Sequence, residues 1–361
     1  MKEDEELREQ GDQDDQAPGW DAIYAVLNKR YPGVEPFHYG TLISYQLGGP
    51  DPLNGVSVYA CEEPVPHWHY VTYGFTELYE KESENTEYSG FGFELTLRLA
   101  REGEEQPPAW AINFLQNLAR YVFNSGNGFQ SGHHLDANGP IEAERDTPIT
   151  AVAFVEDPEL GEAISPFGKF QFLQVVGITA DELDMIKVWN TRSFLELAKQ
   201  HLPLYLTDLT RRSLLEDAGI RAAAEMGVRT EGSSTGVLYF ESLSWEEKRN
   251  LFKGNSYTLQ LGAKQAESLA RILSGRLLHD RDLTLMGPDT GVVMIPDVQN
   301  RIAELDNALQ LYLNADAVAE LSRRLVPKES EFQLDTMESL TIRIVKTLMR
   351  DPDGNIVETI G

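Results

Sequence analysis

Basic residues are scarce in this chain. Lys and Arg total 31 against 58 Asp and Glu, a formal net charge of −27 over 361 residues. A field of that sign repels phosphate backbones and anionic lipid headgroups and draws in basic partners, so direct binding to nucleic acid or to a membrane surface is not expected. Cysteine is nearly absent: Cys61 stands alone, which excludes an intramolecular disulfide and a multi-cysteine zinc site and fits a reducing cytoplasm. Its acidic setting, ACEEP, disfavours the thiolate a cysteine nucleophile needs. No window approaches the run of apolar residues that a membrane span requires, and the opening MKEDEELREQGDQDDQAPG has no apolar signal-peptide core. A phosphate-cradling glycine loop and an HExxH helix are missing, and with them the usual marks of nucleotide binders and zinc proteases.

What is present is globular. Hydrophobic residues make up 41% and charged residues 25%, enough to bury a core, and the length exceeds that of a usual single domain. Residues 1–17 carry only Met1 and Leu7 as large apolar side chains, and are expected to form a disordered acidic tail. In GWDAIYAVLNKRYPG, Trp20, Ile23, Leu27 and Tyr31 recur at helical spacing before Pro32-Gly33. TLISYQLG, GVSVYACEE, HWHYVTYGF and GFGFELTLRLA then read as short antiparallel strands. PPAWAINFLQNLARYVFNSGN reads as a helix with Trp110, Phe114, Leu115, Leu118, Tyr121 and Val122 on one face. Further strands and helices follow, and the polar SWEEKRNLFKGNS suggests a linker. The expected fold class is α+β: two domains, 18–245 and a smaller 246–361, each a mainly antiparallel mixed sheet with packed helices, joined by a short hinge.

Two chemistries compete for PHWHYVTYGFTELYE. His67 and His69 share one face of a strand, and with His134 they form the candidate ligand set of a metal-dependent enzyme. The alternative is a structural strand, its histidines half-buried and hydrogen-bonded, with Trp68 and Tyr70 on the opposite face in a core.

PHWHYVTYGFTELYEKE, SGFGFELTLRLARE, FLQNLARYVFNSGNGFQSGHH, EDPEL, FGKFQFLQVVGITADEL and LYLTDLTRR, in that order, resemble the Suppressor of fused family. The resemblance runs from about Trp20 to Trp245 and continues more weakly to the C-terminus. It implies binding without catalysis or cofactor. Animal members clamp an extended peptide of Gli-type zinc-finger transcription factors between two α+β domains, by strand addition. Carried over by position, Tyr121 stands at the family's groove tyrosine and Glu156 at an acidic groove position. Phe129 stands at an aromatic position just before the peptide-binding acid. That acid, in Ser-Gly-Asp-His, is His133 here. The resemblance also suggests that the second wall of the groove lies near Leu259–Leu269, and that the histidines of PHWHY frame the groove. The short linker looks like a bacterial version of the family, whose members occur with toxin systems; neutralising a basic toxin is then one specific form of the implied role. The partner expected is a cationic protein or peptide.

Overall fold

The computed structural model describes residues 17–43, 45–249, 254–305, 308–350 and 355–361; apart from Ala17, the tail expected at 1–17 lies outside the described residues. The chain divides into two compact units, one of Met1–Leu183 and Leu195–Ile220, the other of Asp184–Phe194 and Arg221–Gly361.

The first unit is built on one sheet. Its strands are β1 (Phe37–Gly40), β2 (Gly55–Cys61), β3 (His67–Tyr73), β4 (Tyr88–Ala100), β5 (His134–Asp136), β6 (Ile149–Glu156), β7 (Glu162–Ser165) and β8 (Gly168–Thr179). Their order is β1-β2-β3-β4-β8-β6-β5, with β7 also on β8. Every pairing is antiparallel except β4 with β8. Helix α1 (Pro18–Arg30) starts with proline in its first turn and ends on Lys29 and Arg30, as the helix dipole favours. Ile23 and Leu27 of α1 pack with Tyr59, Val71, Tyr73 and Phe172 on one sheet face. Gly19 makes this possible, since a Cβ there would lie 2.0 Å from the Glu77 carbonyl oxygen. Helix α2 (Ala109–Ser125) ends on Gly126 in the left-handed region. Its Leu115, Leu118 and Val122 pack on the other face, with Trp68, Tyr70, Leu95, Leu97 and Phe154. Both faces are therefore covered, and β3 is buried along its whole length. Each large apolar side chain so buried contributes roughly 1.5–3 kcal/mol.

Helices α3 (Ala180–Val188), α4 (Thr191–Ala198) and α5 (Ala218–Glu231) follow β8 in the chain. The second unit contains β9 (Val237–Tyr239), β10 (Ser244–Lys248), β11 (Ser256–Gly262), helix α6 (Ala263–Leu277), β12 (Leu283–Met286), β13 (Gly291–Pro296), β14 (Arg301–Leu305), β15 (Ala308–Leu313), helix α7 (Ala315–Arg324), β16 (Ser330–Gln333), β17 (Leu340–Val345), β18 (Thr347–Arg350) and β19 (Ile356–Ile360). They form a sheet β10-β11-β17-β16, a sheet β14-β15-β13-β12-β9 and a β18-β19 hairpin. The shared core takes Leu340, Ile342 and Ile344 from one face of β17 and Leu269, Ile272, Leu273, Val318 and Leu321 from the two helices.

Two segments differ from their sequence reading. Among the described residues of TLISYQLG, Tyr45–Leu47 form a 3-10 turn and none joins a strand, and Leu42, Ile43 and Leu47 are exposed. The polar segment suggested as a linker contributes β10, paired with β11 inside the second unit. Its alternating exposure explains the polar composition of this edge strand, and residues 250–253 lie outside the described residues.

Candidate partner-binding site

Strand alternation and one turn of α2 bring two of the predicted side chains, Tyr121 and Phe129, together over Phe154. Tyr121 stacks on Phe129 (5.6 Å between centroids, 16° between planes), and Phe129 stacks on Phe154 of β6 (4.1 Å, 15°). The ladder climbs from a buried Phe154 through Phe129, 6% exposed, to Tyr121, 45% exposed. Tyr121 is thus the outer edge of the stripe that α2 buries, and a ring supported from below presents its outer face at little entropic cost. His133 is exposed beside this ladder. Its carbonyl accepts from Phe154 N at 2.9 Å, while Gly132 N donates to the Phe154 carbonyl at 2.8 Å. The next three residues form β5, the terminal strand of the sheet, which pairs with β6 alone among the described strands. Glu156, exposed at the end of β6, is two residues beyond Phe154 and so on the same sheet face.

A buried ion-pair network holds Glu156 in place. The neighbouring Asp157 is buried and receives both guanidinium nitrogens of Arg98, at 2.6 and 3.1 Å. It also accepts from Thr96 Oγ1 at 2.7 Å and from the backbone N–H groups of Glu159 and Leu160 at 2.9 and 3.0 Å. Burial alone would disfavour its charge; His69, Arg98 and these bonds outweigh that and hold its pKa far below the usual carboxylate range. Arg98 reaches on to Glu159 at 2.9 Å and to Gln174. Glu159 in turn accepts from Arg30 at the end of α1, at 2.8 Å. The EDPEL motif therefore splits its work: Asp157 points inward and fixes the turn, and Glu156 points outward.

The histidines of PHWHY belong to this interior. His67 and His69 are buried, which corrects the expectation that they frame a groove. Tyr31 Oη and His69 Nδ1 are 2.6 Å apart, and His69 Nε2 lies 3.4 Å from Asp157, an electrostatic contact too long for a strong hydrogen bond. Burial, with Arg98 nearby, lowers the His69 pKa to about 4, so the ring is neutral at physiological pH and the tyrosine hydroxyl donates to it. His67 Nδ1 is 2.7 Å from the Val65 carbonyl. His134 lies on β5 opposite Ala153. Among the described residues, no three of histidine, cysteine, aspartate and glutamate come together to hold a metal, so His67, His69 and His134 do not make a joint site. Leu259 and Leu269, the ends of the segment near which a second groove wall was suggested, are buried in the second unit's own core.

Sequence reasoning missed Phe154 as the base of the ladder and Arg98–Asp157 as its anchor. The signal for Arg98 was its alternation with Leu97 and Leu99; it reads as a solvent-facing charge unless α1 and its neighbours are known to cover that face.

A second buried carboxyl gives a pH test. Glu94 accepts from Gly74 N (3.0 Å), Thr76 N (2.9 Å), Thr76 Oγ1 (2.7 Å) and Thr72 Oγ1 (2.6 Å), yet burial raises its pKa to about 7. A raised carboxyl binds its proton more tightly in the folded state. Its stabilising contribution is complete below the unfolded value near 4.5 and is lost as pH rises through 7. His69 has the opposite sign: its contribution is complete above about 6.5 and is lost as pH falls through 4. Urea unfolding from pH 4.5 to 7.5 should show wild-type stability falling, relative to Glu94→Gln, by up to roughly 3 kcal/mol. A pH-independent difference would mean that Glu94 stays ionised throughout.

Among the described residues, no helix is long and apolar enough to cross a membrane. The profile of the Suppressor of fused protein family matches residues 49–212. The Suppressor of fused homologs of Homo sapiens and Mus musculus are each 38% identical over 234 residues, covering 60% of this chain and 48% of theirs. The chain thus spans about half the length of the curated relatives it matches. The crystal structure of Drosophila Suppressor of fused superposes with a TM-score of 0.79 at 22% identity, over 91% of this chain and 97% of that one, and so shares the fold. A chain from the Sufu–Fu complex crystal structure matches with a TM-score of 0.54 and 30% identity, over 59% of this chain and 98% of its own length. With the family profile, the curated relatives and the fold in agreement, the chain belongs to the Suppressor of fused family.

Proposed function

We propose that this chain is a non-enzymatic binding protein that holds an extended, cationic segment of a protein partner, with Tyr121, Phe129, His133 and Glu156 forming the contact surface. The observation that carries this reading is the supported ring ladder ending in an exposed Tyr121 beside the terminal strand β5. A terminal strand offers main-chain groups to an added strand, while the ladder and Glu156 receive alternate side chains. A net charge of −27 favours rapid capture of a basic partner, and the solved Sufu–Fu complex shows that a relative associates with a protein. Sequestration, including neutralisation of a basic toxin, is the role such a surface serves. His133, an imidazole where the family's motif has an acid, shifts the choice of partner away from that of the animal proteins.

The test is Glu156→Arg. Affinity for the partner recovered by pull-down should fall by ten-fold or more, since like charges across an interface cost several kcal/mol. The loss should shrink at high salt while the melting temperature of the free protein stays put. Equal affinity of variant and wild type would place binding elsewhere on the chain.

A further inference from the structure

A second aromatic recess, of about 520 Å³, opens in the first unit and shares no lining residue with the ladder. Phe123 of α2 meets Phe91 at 5.1 Å and 61°, Phe75 at 6.1 Å and 48°, and Tyr45 at 5.5 Å and 73°. These rings are inclined to one another rather than stacked, so their electron-rich faces point in several directions. Phe75 is buried, while Phe91 and Phe123 are half-buried and Tyr45 is exposed.

The charged lining is of one sign. Glu77 and Glu82 border the recess, and among the described residues no lysine, arginine or histidine does. Burial works against charge on Glu77, but bonds from Lys81 and from the backbone N–H groups of Ser83, Glu82 and Gly90 outweigh it and lower its pKa to about 2. Lys81 itself is occupied at 2.8 Å from Glu77 and 2.7 Å from the Tyr88 carbonyl. Behind the floor, Gly74 and Thr76, both lining residues, donate to the Glu94 carboxyl. Gly90 keeps the wall open: at φ +54°, a Cβ there would lie 2.5 Å from the Phe75 carbonyl oxygen.

We propose that this recess is a second anchoring site, which takes an arginine side chain of a basic protein segment against the ring faces, with Glu82 as counter-charge at its mouth. Inclined aromatic faces attract a cation. The planar, weakly hydrated guanidinium stacks on rings better than an ammonium. An apolar side chain would gain nothing from the one-signed lining.

The probes are three tripeptides, acetyl-Gly-Arg-Gly-amide and its citrulline and leucine counterparts, titrated against the full chain by saturation-transfer NMR at low and high salt. The arginine peptide should bind saturably and about ten-fold more tightly than its neutral citrulline isostere. Phe123→Leu should weaken it roughly five-fold, as loss of a ring face does. Glu82→Gln, at an exposed position, repeats the test without touching the core, and Tyr121→Ala should leave this binding intact, which separates the recess from the ladder. Equal binding of arginine and citrulline, tightest binding of leucine, or an arginine affinity indifferent to both Phe123→Leu and Glu82→Gln would overturn the proposal, the last pointing to diffuse attraction by the acidic surface.

Discussion

Replacing Arg98 by methionine should cost about 3 to 5 kcal/mol of stability, the usual consequence of removing one partner from a buried ion pair. Methionine matches the aliphatic stem of arginine but not its buried head group, so the loss combines the missing ion pair with the space the guanidinium leaves. Asp157 would retain Thr96 and two backbone donors but no cation within the interior, and Gln174 and Glu159 would each lose a donor. Urea denaturation measures the effect directly, and a cycle with Asp157→Asn should show coupling of about 1 to 3 kcal/mol. A loss below about 1 kcal/mol would mean that water reaches this network. The variant also tests the link to function: with the EDPEL turn loosened, Glu156 should lose its fixed direction and partner affinity should fall even where the protein remains folded.

Trp68→Ala should destabilise by about 3 to 5 kcal/mol. The ring is buried against α2, its Nε1 donates to Glu104 at 2.9 Å, and the Arg101 guanidinium sits 5.0 Å from its centroid. His69→Ala, on the opposite face, should cost about 2 to 4 kcal/mol, because it leaves a cavity and strips a partner from Tyr31 and Asp157. A half-buried groove histidine would have cost far less. Thermal and urea unfolding of the two variants distinguish the cases, and a near-silent His69→Ala would return that side chain to the surface.

These two residues show what the sequence makes legible. Alternation in HWHY correctly sends Trp68 and Tyr70 to one face and His67 and His69 to the other, because side-chain direction in a strand is a local property. Whether the histidine face meets water is decided some forty residues earlier, where Tyr31, the residue after α1, closes over it, and no local pattern records that. The apolar run in TLISYQLG has the composition of a strand, yet none of its described residues joins a strand and Tyr45–Leu47 form a 3-10 turn. The proposed partner surface was legible only through the resemblance: Tyr121, Phe129, His133 and Glu156 come from a helix, a loop, a strand entry and a strand end. Their proximity rests on Phe154 and on the Arg98–Asp157 pair, both hidden among ordinary strand residues.

In the proposed binding mode, a partner's extended segment adds along β5 and the ring ladder. Hydrogen–deuterium exchange of the full chain, with and without the partner recovered by pull-down, tests it most directly. Exchange should slow in peptides covering Phe129–Asp136 and the end of β6 at Glu156, with the core strand β3 unchanged. Protection confined to other segments, with Phe129–Asp136 exchanging as in the free protein, would contradict it.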